Sequence, residues 1–473
     1  MAHDQTVQST KRPVSVSADE VQKLRGTIRG KVIEPGEPMY DDARKVYNGM
    51  IDRRPRVIVK CVDVADVISA VRFAREHALD LAVRGGSHNV AGFSVCDDGI
   101  VVDLSMMRSV RVDPANKRVR VDGGATWGDV DHATHPFGLA VPAGIISSTG
   151  VAGLTLGGGI GHLTRKYGLS CDNLISADVV TADGNLVVAS ETENADLFWG
   201  LRGGGGNFGV VTSFEFKAHP VKMVLAGPVF YPIEKTAEVL RFFREFMAGA
   251  PEELNAFFAF QIGPPAPFIP QHLQGVIMCA IVACYSGPID KGEQLLKPIR
   301  QFGPPALDLV GPLPMPVLNS LFDPLLPAGL QHYWKADYIH QITDPQIDIH
   351  VKFGPKTPTV QSTMHIYPTD GAPMRIGKDQ TAYAFRDARF VHVIPAMYTD
   401  PADTPKNMQW VRDYWQALRP HSAGGAYVNF LMEEGDERIA ATYGTNYQRL
   451  VALKNKYDPT NLFHLNQNIK PSL

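Results

Sequence analysis

The sequence predicts an α+β protein built in two parts, and three observations carry that prediction. A strand–helix–strand pattern runs from Arg56 to Val83, two hairpin-like stretches follow it, and the character of the chain changes after His219-Pro220. At 473 residues the chain is too long for one ordinary core and comfortable for two. An apolar share of 44% and a charged share of 20% are those of a folded globular chain, which argues against long disordered tracts.

In the first part, Val57 to Val59 reads as a strand. Asp63 stands where a helix N-cap belongs, because Val64, Val67, Ile68, Val71 and Ala74 recur behind it at helical spacing. A second strand, Leu81 to Val83, runs into Arg84-Gly85-Gly86-Ser87-His88-Asn89. Val110 to Val121 alternates apolar and polar residues around Asp113-Pro114, and Asp178 to Val188 does so around Asp183-Gly184, as hairpins do. Beyond residue 220 prolines multiply and long glycine clusters vanish. Aromatic residues gather there, among them Phe257, Phe258, Phe260, Tyr333, Trp334, Tyr338, Tyr383 and Phe390, so a boundary is expected near Val221. The longest apolar run, Gly275 to Tyr285, reads as a buried strand. Tyr447, Leu450, Val451 and Leu453 form a helical stripe that ends at Asp458-Pro459.

Composition narrows the function classes. A net charge of -3 with acids and bases interspersed provides no attraction for nucleic acid and no basic face for a membrane, which leaves small molecules as the expected partners. Cys61, Cys96, Cys171, Cys279 and Cys284 are odd in number and contain no C-x-x-C pair, which argues against a disulfide framework or structural zinc. His132 and His135 lack acidic or cysteine companions, so no metal is expected. Met1 to Ser17 is polar without a signal-peptide core, and no run of about 18 apolar residues occurs, so a cytoplasmic location is expected.

Gly204-Gly205-Gly206-Asn207-Phe208-Gly209 satisfies G-x-G-x-x-G, yet the dinucleotide fingerprint requires a helix after it and here a strand, Val210 to Phe216, follows. A nicotinamide enzyme is therefore disfavoured. Three glycine-dense segments remain: Arg84 to Gly92, Pro142 to Gly161 and Gly203 to Gly209. Any one of them can serve only turns. Together they suit a bulky anionic cofactor, because glycine lets the backbone approach closely and aim successive N–H groups at a pyrophosphate.

These segments resemble the FAD-linked oxidases of the berberine bridge enzyme-like family, within the vanillyl-alcohol oxidase fold. The likeness runs through the Arg84 to Asn89 segment, Pro142-Ala143-Gly144 to Gly161, and Arg165-Lys166-Tyr167-Gly168-Leu169-Ser170-Cys171-Asp172-Asn173-Leu174. It continues through Gly206 to Val211, Tyr427-Val428-Asn429 and Asp458-Pro459-Thr460-Asn461-Leu462-Phe463. The resemblance implies a PCMH-type FAD-binding domain formed by residues 1–220 and completed by 426–473, with an inserted α+β substrate domain, 221–425, built on an antiparallel sheet.

It further implies that FAD is bound covalently twice, by His88 at the 8α-methyl and Cys171 at C6 of the flavin. The implied cradle comprises Arg84, Gly85, Gly86, Ser87, Asn89 and Gly92; Pro142, Gly144, Gly150, Gly153, Gly157, Gly158 and Gly161; Asn207, Gly209 and Val211; and Asn429 and Asn466. Tyr427 matches the residue that relatives use as a base beside flavin N5. A free phenol, with a pKa of about 10, needs help to act so. Tyr167 would assist near the flavin, and Tyr367 falls near the place of an assisting carboxylate or second tyrosine. Aromatics such as Trp334, Tyr333 and Tyr338 suit stacking on a substrate, or ordinary core. The expected activity is oxidation of an alcohol, sugar or amine by hydride transfer, with dioxygen reduced to hydrogen peroxide. A different electron acceptor, or flavin binding without turnover, stands as the alternative.

Overall fold

The computed structural model describes residues 16–472, so most of the polar stretch Met1 to Ser17 lies outside the described residues. The β-branched run at 57–59 forms strand Val57–Lys60 with the lysine that follows it. It pairs in parallel with Ile100–Asp103, which pairs in parallel with Leu81–Arg84, while Lys31–Ile33 adds antiparallel at the edge. Helix Val64–Glu76 begins where Asp63 accepts a hydrogen bond from the Asp66 N–H at 3.1 Å. Its stripe of Val67, Ala70, Val71 and Ala74 is fully buried against this sheet.

The two hairpins join through a strand from farther along the chain. Val110–Asp113, Arg118–Asp122, Val210–Lys217, Leu174–Val180 and Leu186–Ser190 form one antiparallel sheet in that spatial order. Between its strands the second glycine-rich segment carries the short helix Val151–Leu156, and the stretch after it folds as the short helix Thr164–Tyr167 and the 3-10 turn Ser170–Asn173, elements that composition does not announce. The third segment leads into strand Val210–Lys217, and its Gly203 and Gly205 N–H groups both donate to the Leu156 carbonyl, at 3.0 and 2.9 Å. The second and third glycine segments are thereby tied together.

From Met223 onward every strand belongs to an eight-stranded antiparallel sheet. Its order is Leu307–Asp308, Met223–Pro232, Ile277–Tyr285, Leu254–Ile262, Met364–Pro368, Phe390–Tyr398 and Gln331–Ile339, with Gly311–Pro314 also pairing to Met223–Pro232. Strand periodicity divides its side chains between two faces. Val229, Tyr231, Phe258, Phe260, Ile281, Ile366 and Ile394 point to one face and are buried beneath helices Thr236–Gly249, Asp344–Phe353 and Thr404–Leu418. Each such large side chain contributes about 1.5–3 kcal/mol by leaving water. Their neighbours Phe230, Phe257, Ala259, Ala280, Val282, His365, Tyr367, Val393 and Pro395 point the other way, toward a cavity.

The C-terminal segment closes the first part. Helix Tyr447–Tyr457 ends at Asp458, and its Lys454 ammonium is wholly buried, donating to Asp458 at 2.7 Å and to the carbonyls of Asn207 and Phe463 at 2.9 Å each. Asp458 in turn accepts from the Leu462 and Phe463 N–H groups, both at 2.8 Å. Asp-Pro-Thr-Asn-Leu-Phe is thus the counter-charge and turn that anchor the chain end beside the third glycine segment. Among the described residues no helix is long and apolar enough to cross a membrane.

Candidate active site

Between the glycine segments and the bare face of the large sheet lies a channel of two lobes. The wide lobe, about 290 Å3, is bounded by the sheet face on one side and by the segments at 85–89 and 144–154 on the other. The narrow lobe, about 170 Å3, runs on between strand Leu81–Arg84, residues 205–211 and the chain end at 463–467. Val83, Gly85, Asn89, Ser94, Gly153 and Asn429 line both lobes, which makes the passage continuous.

Glycine shapes this passage in two ways. Gly86 and Gly150 meet backbone to backbone, since a Cβ on either would come within 2.4 Å of the other's nitrogen; this contact brings the first two segments together. At Gly153 and Gly206 an added Cβ would meet no protein atom within 4 Å and would project into the channel. The backbone N–H groups of Gly86, Ser87, His88 and Asn89 donate to none of the described residues. Buried Ser94 Oγ, Asn466 Oδ1 and Gln467 Oε1 also lack partners along the narrow lobe. Buried polar groups are normally satisfied, so this row of open donors and acceptors fits an elongated polar ligand whose phosphates are held by backbone N–H groups. The residues present fit FAD.

His88 faces the wide lobe. Ser87, held at φ +62°, turns the chain there; the imidazole stacks on Tyr47 with ring centres 3.9 Å apart, and its Nε2 shares a hydrogen bond with Ser148 Oγ at 3.1 Å. Burial lowers its pKa to about 4, so the ring is neutral and keeps a nucleophilic lone pair. Nothing in the local pattern around His88 pointed to Tyr47, 41 residues earlier.

Tyr427 enters the same lobe from the chain end. Its phenol oxygen accepts hydrogen bonds from the Gly159 N–H and from Asn429 Nδ2, both at 2.7 Å. Burial pushes its pKa up, while these two donors pull it down. Gly158 and Gly159, at φ +129° and +93°, let the loop curl under the ring, where a side chain on Gly158 would strike Tyr427 and Tyr383. Tyr367 also lines the lobe, and its hydroxyl lies 2.5 Å from His365 Nδ1. Burial holds the His365 pKa at about 3, so the ring is neutral. His365 was not expected from the sequence, although its place two residues before Tyr367 on a strand was the available signal.

The expected site residues therefore separate into groups. Gly85, Gly86, Ser87, His88, Asn89, Gly144, Gly150, Gly153, Gly209, Val211, Asn429 and Asn466 line the channel, as do Tyr367 and Tyr427. Others shape it from behind. Arg84 is buried against Asp103 and donates to Ser94 and Ala43 carbonyls, and the Pro142 carbonyl accepts from Ser170 Oγ at 2.6 Å. Gly157 lies against Asn429, Gly161 against Ala143 and Gly92 against Ile51. Asn207 ties Gly204 to Gln467 and Ile469.

Two expectations meet a different geometry. Cys171 is fully buried and does not line the channel; its N–H donates to the Gly158 carbonyl at 2.8 Å, and its thiol lies 3.6 Å from Asp172, which is locked to Arg386 at 2.7 Å. Burial and the Asp172 carboxylate push that thiol well above its usual pKa, the opposite of a reactive thiolate. Tyr167 likewise turns away. Its ring stacks on His219 at 4.0 Å, beside the apolar cluster of Leu163, Val221 and Met315. Of the stacking candidates, Trp334 lines the wide lobe, whereas Tyr338 is core and Tyr333 packs against the helix-covered face. Among the described residues, no three His, Cys, Asp or Glu side chains assemble as a metal site.

Comparison with known proteins agrees with this architecture. Residues 55–190 match the model of the FAD binding domain, and residues 426–470 match that of berberine and berberine-like proteins. A FAD-linked oxidoreductase of Dictyostelium discoideum is 35% identical over 95% of this chain and 97% of its own length. The (R)-6-hydroxynicotine oxidase of Paenarthrobacter nicotinovorans is 29% identical over 94% and 97% respectively. The crystal structure of 6-hydroxy-D-nicotine oxidase from Arthrobacter nicotinovorans superposes with a TM-score of 0.84 at 28% identity, covering 94% of this chain and 98% of that one. A chitooligosaccharide oxidase shares the fold at a TM-score of 0.83 and 24% identity, over 96% of this chain and all of that one. With a cradle that fits FAD and relatives that align from end to end, the chain belongs to the berberine bridge enzyme-like family of FAD-linked oxidoreductases.

Proposed function

We propose that this enzyme oxidises a carbon bearing a hydroxyl or amino group in a small organic molecule, and that FAD is tethered through His88. Held by the segments at 85–89 and 144–153, FAD would supply the two-electron acceptor for the substrate's hydride, with dioxygen as the terminal acceptor and hydrogen peroxide as the product. The observation that carries the reading is the Tyr427 oxygen, which receives two N–H donors in the lobe that His88 faces. Two donors fill the lone pairs of a neutral phenol, so its own hydrogen points elsewhere; once ionised, the oxygen keeps both donors and retains a lone pair for the substrate's O–H or N–H proton. Tyr427 is the base in this reading. The Tyr367–His365 pair lines the same lobe, its two groups hydrogen-bonded to each other.

The neutral imidazole of His88 suits covalent attachment, and its stacking on Tyr47 fixes the ring's direction. A second link through Cys171 has no such support, because that thiol is fully buried beside the Asp172 carboxylate. The test is direct. Purified protein, precipitated in acid, should stay yellow, and a substrate found by screening alcohols, sugars and amines should bleach it without oxygen and release peroxide in air. Flavin lost to the supernatant ends the tether; bleaching without peroxide moves the enzyme to a dehydrogenase.

A further inference from the structure

We infer that the substrate is an uncharged, largely apolar alcohol with one or two hydroxyl groups, and that sugars and ionised molecules are rejected. The inference rests on the oxidase reading above and adds to it the chemistry of the wide lobe. No Asp, Glu, Lys or Arg lines that lobe. Its two histidines, His88 and His365, are neutral. A carboxylate or ammonium entering it would lose its hydration and meet no counter-charge, a cost that neutral molecules escape. An amine would enter only after shedding its proton.

The polar groups on the wall argue the same way, because most are already engaged. Both N–H groups of the Gln261 amide donate to carbonyls, Ile262 at 3.0 Å and Val360 at 2.6 Å. Thr363 donates its hydroxyl to the Phe260 carbonyl at 2.6 Å, and His365 and Tyr367 bind each other. The Asn429 N–H groups are taken by the Leu154 carbonyl and Tyr427. Away from the open groups at 86–94, which belong to the cofactor cradle, what remains is the Gln261 side-chain carbonyl, the Gln361 amide, the unpartnered Trp334 Nε1 and the Tyr427 hydroxyl. A sugar, with a hydroxyl on nearly every carbon, would leave most of them unpaired on burial. Phe230, Phe257, Phe322, Trp334 and Phe430 instead offer faces to an aromatic ring or an apolar chain.

The experiment uses the purified holoenzyme and a matched panel: benzyl and cinnamyl alcohol, the same two bearing a para-carboxylate, and N-acetylglucosamine and xylobiose. Anaerobic bleaching is timed, and binding is followed by the shift in flavin absorbance, which reports even a ligand that is not turned over. The neutral aryl alcohols should bind, and bleach if turned over, with at least about a hundredfold advantage over their carboxylates and the sugars. Equal or better binding by a carboxylate or a sugar overturns the inference and leaves the oxidase reading standing. A protein without flavin defeats the reading itself. As a second arm, Met397→Lys places an ammonium in the wall and should cut the discrimination against the carboxylates by tenfold or more; if that variant does not fold, the wild-type panel decides alone.

Discussion

Gly153 gives two predictions of opposite sign in one residue. It sits in helix Val151–Leu156, lines both lobes of the channel, and has no protein atom within 4 Å of where its Cβ would be. Alanine is a better helix former than glycine by roughly 0.5–1 kcal/mol, so Gly153→Ala should stabilise the apoprotein slightly, raising its melting temperature by up to about 2 °C in a chain of this size. The added methyl projects into the space assigned to FAD. Overpacking costs about 1–3 kcal/mol, so cofactor affinity should fall roughly 5- to 150-fold, and Gly153→Leu should abolish binding. Affinity is best read by quenching of flavin fluorescence in a His88→Ala background, where no covalent link obscures the equilibrium, alongside melting of the apoproteins. If both variants held FAD as tightly as their parent, the channel would not be the cofactor site. If Gly153→Ala melted several degrees lower without cofactor, the open space beside the residue would be an error.

Tyr427→Phe should leave FAD bound and slow anaerobic flavin reduction by about 10²- to 10⁴-fold, the usual worth of a positioned base; reduction within tenfold of wild type would clear Tyr427 of the role. Because burial keeps this phenol protonated at neutral pH and only its ionised form accepts a proton, the wild-type reduction rate should climb as pH rises into the alkaline range, and the Phe variant should lose that climb. His88→Ala should release its flavin on acid precipitation, whereas Cys171→Ala should stay yellow with the mass of one FAD added, a result that flavin release from the Cys171 variant would contradict.

The sequence by itself determined the elements and their chemistry. Asp63 and the stripe behind it specified a helix, the runs at 57–59, 81–83 and 275–285 specified strands, the last of them found at Ile277–Tyr285, and the turn at 183–184 joined a hairpin, because side-chain period and turn residues are local properties. The three glycine segments and the Tyr427-Val428-Asn429 motif marked the residues that converge on one channel. Side-chain direction within loops was a different matter. His88 and Cys171 both sit in glycine-bordered loops, yet one faces the channel, held by Tyr47 and Ser148, 41 and 60 positions away, and the other faces Asp172, which is fixed by Arg386, 214 positions farther along the chain. Tyr167 was drawn to His219 in the same way. Even in the strands, alternation says only that His365 and Tyr367 share a face. Which face meets the cofactor was decided by the helices at 236–249, 344–353 and 404–418, which cover the other side and leave an uncharged wall over the channel. Period is written into neighbouring residues, but orientation depends on what distant segments bury.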